Sequence, residues 1–225
     1  MRVVIVGHHE EDSAGFIGAA FEARGARLST ILFPKEGALP DLDGVAHVVL
    51  LGSTSSVYDD GEACAWIDEE LAWLGRADAA GVPVLGICFG AQMLAATFGG
   101  TVEHAGRQEI GWVMVESADP ELIPPGPWLE FHHDRCLPPA HATVLARNEL
   151  GVQAYRLGRH LAVQFHPEVD GDQFRLWLNA GGRREIEANG QDPGAMLAET
   201  IAEEPGAAAR ADRLVASALH IAAGP

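Results

Sequence analysis

The chain has 225 residues with 15 basic and 32 acidic side chains, a formal net charge of −17, and Lys35 as its only lysine. Such a surface repels a phosphate backbone, which excludes nucleic acid as the expected partner. Its three cysteines, Cys64, Cys88 and Cys136, are odd in number and form no CxxC pair, which argues against a disulfide framework and a cysteine zinc site and points to a reducing cytoplasm. The amino terminus RVVIVGHHEED turns acidic after a few apolar residues and does not read as a signal peptide. The apolar run from Val82 to Gly100 is interrupted by Pro83, Gln92 and glycines, so it reads as a buried strand and helix, and no membrane partner is expected.

In chain order, Arg2 to Val6 predicts a first strand, and Asp12 or Ser13 is placed to cap a helix carrying Phe16, Ile17, Ala20 and Phe21 that Gly25 stops. Arg27 to Phe33 predicts a second strand, ended by Pro34. Val45 to Leu51 predicts a third, nearly all apolar as in a strand covered on both faces. After the polar loop GSTSSVYDDG, a helix over Glu62 to Ala79 sets Ile67, Leu71 and Leu74 on one face, and Val82 to Ile87 forms a fourth buried strand. Strands separated by such helices imply parallel pairing and a doubly wound, mostly parallel α/β sheet with helices on both faces. Beyond Gly100, short strands near 111–117, 128–132, 143–147, 151–156 and 160–165 are expected to extend the sheet with an antiparallel portion. Residues 172–180 predict a helix and 190–206 are acidic and weakly patterned. A last helix sets Leu214, Val215, Ala218 and Leu219 on one stripe. With no repeat and no linker, residues 1–225 read as one domain with a helical extension over 190–225.

Cys88 stands where the fourth strand meets a helix, in the spacing Gly86-Ile87-Cys88-Phe89-Gly90, the pattern of a nucleophile elbow. A sharp turn with close strand-helix approach leaves no room for Cβ atoms at the two glycine positions. The thiol is thereby presented at a helix amino terminus, whose dipole favours the thiolate. Of ten histidines, His166 is distinctive. It follows the apolar run LAVQF, and Pro167 favours an extended backbone there. Residues i and i+2 of an extended segment face one side, so Glu168 can orient one imidazole nitrogen while the other faces the thiol. His8 and His9, followed by Glu10 and Glu11, offer only a weak metal set. No metal or organic cofactor is expected.

GICFGAQ together with QFHPE resembles the class I glutamine amidotransferases, enzymes with a Cys-His-Glu triad that take ammonia from the side-chain amide of glutamine. The likeness runs through LPDLDGVAHVVLLGS, SSVYDD, GVPVLGICFGAQMLAATFGG, the Glu109-Ile110-Gly111-Trp112 stretch and HHDRCLPP, over roughly residues 1–180, and is similar to the free-standing, guanylate-synthetase-like branch. The resemblance implies a flavodoxin-like fold, Cys88 as nucleophile, His166 as general base and acid, and Glu168 as its orienter. It implies that Gln92 helps hold the substrate, and that Asp134, in His132-His133-Asp134 where the family has H-G-D, receives the substrate α-amino group. It also implies an oxyanion hole from the Phe89 amide and the loop at Gly52 and Ser53. The family's loop commonly reads G-G-P-x-S, whereas this chain has Gly52-Ser53-Thr54-Ser55-Ser56. If positive φ is required at Ser53, that residue is strained by about 1–3 kcal/mol.

The expected reaction is hydrolysis of the glutamine amide through a γ-glutamyl thioester on Cys88, with ammonia passed to an acceptor on a separate synthetase, since the sequence has no P-loop. Two alternatives stay open: hydrolysis of another γ-glutamyl amide or peptide without ammonia transfer, and a non-catalytic binding protein on the same fold.

Overall fold

The computed structural model describes residues 1–224. Nine strands form one sheet: β1 (Arg2–Gly7), β2 (Arg27–Leu32), β3 (Val45–Leu50), β4 (Val84–Ile87), β5 (Thr101–Ser117), β6 (Gly126–Leu137), β7 (Thr143–Asn148), β8 (Gly151–Leu157) and β9 (His160–Val163). Their order is β2-β1-β3-β4-β9-β8-β7-β5-β6. The first five are mutually parallel and the last four join by antiparallel pairings. The helices are α1 (Gly15–Ala23), α2 (Ala65–Ala79), α3 (Phe89–Thr97), α4 (Gly171–Trp177), α5 (Arg183–Ala188) and α6 (Pro193–Ala223).

The apolar runs of the parallel strands follow from burial on both faces. In β1, Val3 and Ile5 join a core with Ile17 and Phe21 of α1 and Leu214, Val215 and Ala218 of α6. Val4 and Val6 point the other way, into a core with Trp73 and Leu74 of α2 and Phe89 and Leu94 of α3. A smaller cluster of Ile110, Leu129, Phe174, Leu178, Ile186 and Met196 closes the end where β6 meets α4 and α5. No helix among the described residues is long and apolar enough to cross a membrane.

Four expectations need correction. The first helix starts at Gly15 after Ala14 with no side-chain cap. The Asp12 carboxylate instead accepts the backbone N–H groups of His8 (2.6 Å) and His9 (2.9 Å), closing the turn after β1. The strand expected from 111 begins at Thr101 and pairs with β6 back to Leu137. That far half lies largely outside the core, so Glu103, His104 and Gly106 gave it no apolar signal. The helix expected over 172–180 splits into α4, capped by Asp170, and a π turn over Leu178–Gly182 with Gly181 at φ 128°. The weakly patterned 190–206 segment begins a single 31-residue helix, α6, capped by Asp192 with Pro193 in its first turn. Of its buried positions there, Pro193, Met196 and Thr200, only Met196 is large and apolar, and a pattern built on large apolar residues misses it.

Candidate active site

The carboxyl ends of β4 and β9 are adjacent, and this adjacency builds the site. Cys88 sits between β4 and α3 with φ 52°, the one non-glycine positive φ among the described residues. A Cβ at Gly86 would lie 2.5 Å from the Gly90 carbonyl oxygen, and one at Gly90 would collide with the Leu50 carbonyl. Both glycines are therefore required by close approach of strand and helix. Cys88 N–H donates to the Val163 carbonyl (2.8 Å), tying the turn to β9. α3 opens at Phe89, whose amide, as the first of the helix, has no intrahelical acceptor.

Three residues past β9, the His166 N–H donates to the Leu129 carbonyl (2.8 Å). Its Nδ1–H donates to Glu168 Oε1 at 2.7 Å, and both side chains are buried, with 5% and 4% exposed. Trp177 meets the imidazole edge to face, ring centroids 4.8 Å apart, and fixes its plane. Burial pushes the His166 pKa down, but the Glu168 carboxylate and the Cys88 sulfur overcome that and hold it well above the usual histidine range. Gly52 packs against both partners: a Cβ there would lie 3.1 Å from His166 Cε1 and 3.8 Å from Cys88 Cβ. A cavity of about 390 Å³ opens onto Cys88, His166, Glu168, Gly52 and Ser53, with Glu11 and Glu185 also on its walls. Ser53 does not adopt positive φ, so the strain considered for it is absent and the strained residue of the site is Cys88.

Two residues expected to hold substrate are not among those that border the cavity. Gln92, one turn along α3 from the cysteine, is buried and donates from Nε2 to Gln164 Oε1 (3.3 Å). Asp134 does not line this cavity, and its two carboxylate oxygens accept hydroxyl hydrogen bonds from Ser56 (2.5 Å) and Tyr58 (2.8 Å). The structure adds Gln164, whose Nε2 approaches Cys88 Sγ at 3.6 Å. It lies in a bend just past the end of β9 rather than on a strand, so no face alternation in the sequence pointed to it.

His8, His9, Glu10 and Glu11 do not converge. His8 turns inward to Gly52 and Glu70, His9 accepts from Thr54, and Glu10 pairs with Lys35 at the surface. The residues close enough to share a metal ion are instead buried: Glu109, Glu130 and His132, with ligand atoms all within 4.8 Å of one another. His132 already bridges them. Its Nε2 is 3.0 Å from Glu109 and 3.1 Å from Glu130, while Nδ1–H donates to the Asp134 carbonyl (2.8 Å). Burial lowers the His132 pKa, but the two carboxylates raise it to about 10, and burial raises that of Glu130 to about 7. The imidazolium is thus the cation of this cluster.

The family description "Glutamine amidotransferase class-I" matches residues 19–178. A glutamine-hydrolysing GMP synthase of Thermomicrobium roseum is 39% identical over 133 residues, covering 54% of this chain and 23% of the synthase. One of Pyrobaculum aerophilum is 37% identical over 147 residues, covering 62% and 27%. The chain thus spans about a quarter of the length of these synthases. The crystal structure of a glutamine amidotransferase from Thermotoga maritima superposes with a TM-score of 0.88 at 26% identity, over 97% of this chain and 98% of that one. The cysteine turn and the paired His166 and Glu168 all fall within the matched segment, and the chain belongs to the class-I glutamine amidotransferase family.

Proposed function

We propose that this chain hydrolyses the side-chain amide of glutamine through a thioester on Cys88 and releases ammonia. The observation that carries this reading is the meeting, on one cavity, of a cysteine in a strained strand-to-helix turn with a histidine held by a buried carboxylate. The Cys88 thiolate adds to the γ-carbonyl carbon, and the carbonyl electron pair moves to oxygen, where the Phe89 and Ser53 amides donate to it. The His166 imidazolium gives its proton to the departing nitrogen, the C–N bond breaks, and ammonia leaves. His166, now neutral, takes a proton from water as that water attacks the thioester, the C–S bond breaks, glutamate leaves, and the thiolate–imidazolium pair is restored. Glu168 holds the imidazole tautomer and stabilises its charged form throughout.

The relatives are glutamine-hydrolysing synthases of which this chain matches about a quarter. By analogy with these synthases, the ammonia is passed to a synthetase that activates the acceptor. A colorimetric or coupled assay of ammonia release from glutamine tests the reading. Wild type should turn over glutamine, Cys88→Ala should not, and a glutamine-like electrophile should label Cys88 alone. Cys136 is 1% exposed and burial pushes its thiol up to about 12, so it is a poor competitor. Label on Cys64 or Cys136, or full activity in Cys88→Ala, refutes the assignment.

A further inference from the structure

The loop after β3 lacks the second glycine that its family commonly carries, yet one of its peptides must present an N–H to an oxyanion. The Gly52 carbonyl accepts Nδ1–H of His8 at 2.7 Å. His8 comes from the turn after β1, and its other nitrogen, Nε2, lies 3.2 and 3.3 Å from the two carboxylate oxygens of Glu70 on α2. Glu70 is fully buried, and the His8 imidazole is packed against Trp66 (5.2 Å between centroids) and edge-on to Phe89 (5.1 Å). Its own backbone N–H is held by Asp12 at 2.6 Å. Both nitrogens of the ring thus have a polar partner.

A trans peptide is planar, so its C=O and N–H point in opposite directions. With the Gly52 carbonyl drawn to His8, the Ser53 N–H faces away from His8, and Gly52 and Ser53 both border the cavity beside Cys88. Flipping this peptide would turn a carbonyl toward the developing oxyanion. It would also rotate Ser53 toward positive φ, which L side chains avoid. We infer that His8, braced by Glu70, is a positioning residue that locks the Gly52–Ser53 peptide with the Ser53 N–H as an oxyanion donor. This inference rests on the reading of the site as an amide hydrolase. His8 touches the loop from behind and acts through it.

The test compares His8→Leu, His8→Asn and Glu70→Gln with wild type in glutamine hydrolysis, and separately in alkylation of Cys88 by iodoacetamide, a displacement that forms no oxyanion. His8→Leu should lower kcat on the order of 10²-fold, as for loss of one oxyanion donor, with KM nearly unchanged. His8→Asn, whose amide N–H can take the place of Nδ1–H, should recover about a decade of that loss. Glu70→Gln, which removes the charge that braces Nε2 and so loosens the ring without deleting it, should fall between His8→Leu and wild type. Alkylation should proceed at the wild-type rate in all three. An unchanged kcat in His8→Leu or, should that variant fail to fold, in Glu70→Gln overturns the inference, and so does a parallel loss of alkylation and turnover. If wild type hydrolyses no γ-glutamyl substrate, the proposed function fails on its own. The positioning role is then read from crystal structures of His8→Leu or Glu70→Gln, where a Gly52 carbonyl left in its wild-type direction overturns it and a turned one supports it.

Discussion

Replacing Glu168 by glutamine removes one charge and almost no volume. The pair it disturbs is short, at 2.7 Å, and shielded from solvent on both sides. A glutamine carbonyl can still accept from Nδ1, so the tautomer survives; the loss is the stabilisation of the imidazolium. At an effective dielectric of about 20, unit charges about 4 Å apart attract by about 4 kcal/mol, and each 1.36 kcal/mol is about a decade of rate. Glu168→Gln should therefore lower kcat by roughly 10²–10³-fold, with a much smaller change in KM. Glu168 Oε2 is buried with no partner, so the new amide NH₂ would lie there without an acceptor and cost about 1–3 kcal/mol in stability. The assay is steady-state ammonia release, with Glu10→Gln as control, because Glu10 is 67% exposed and pairs only with Lys35. The sign with pH follows from His166, whose folded pKa is raised by its partners. Its contribution is complete below the ordinary value of about 6.5 and is lost as pH rises through the folded value. The stability advantage of wild type over Glu168→Gln in urea should accordingly be greatest near the acid end of that window and shrink toward alkaline pH. Equal kinetic losses in Glu168→Gln and Glu10→Gln, or a loss confined to KM, would refute the reasoning.

Asp134→Asn separates substrate recognition from loop anchoring. If Asp134 receives the α-amino group, KM for glutamine rises while N-acetylglutamine is unaffected, whereas equal effects of Asp134→Asn and the double change Ser56→Ala and Tyr58→Phe would assign Asp134 to the loop alone. Burial raises the Glu130 pKa from 4.5 to about 7, so wild type should lose stability as pH rises through that window. Glu130→Gln should flatten this slope, and identical urea midpoint profiles for the two proteins would rule it out. Pro205 lies inside α6 on an exposed position, without the N–H that a helix interior requires. Pro205→Ala should stabilise the protein by about 1–3 kcal/mol in urea melts, and a lower midpoint would show that the proline serves the helix.

The sequence by itself determined the α/β alternation, because strands buried on both faces must be apolar throughout and helices buried on one face must repeat near 3.6 residues. It determined Cys88 and the partnership of His166 with Glu168 for a related reason. Gly86 and Gly90 are dictated by one local turn, and His166 and Glu168 do meet two positions apart, although Pro167 and Glu168 form a turn and not the extended backbone from which the pairing was expected. The tertiary structure alone decided what depends on distant segments meeting. His8 reaches Glu70 across 62 positions and Gly52 across 44, which happens only because the turn after β1, the end of β3 and α2 converge beside Cys88. The hydroxyl partners of Asp134 lie 76 and 78 positions away, so its H-x-D spacing carried no sign that both its oxygens were occupied. The far half of the β5–β6 hairpin and the first half of α6 were hidden for another reason. Their positions are held by backbone pairing and small-residue packing, which leave little large-apolar periodicity in the chain.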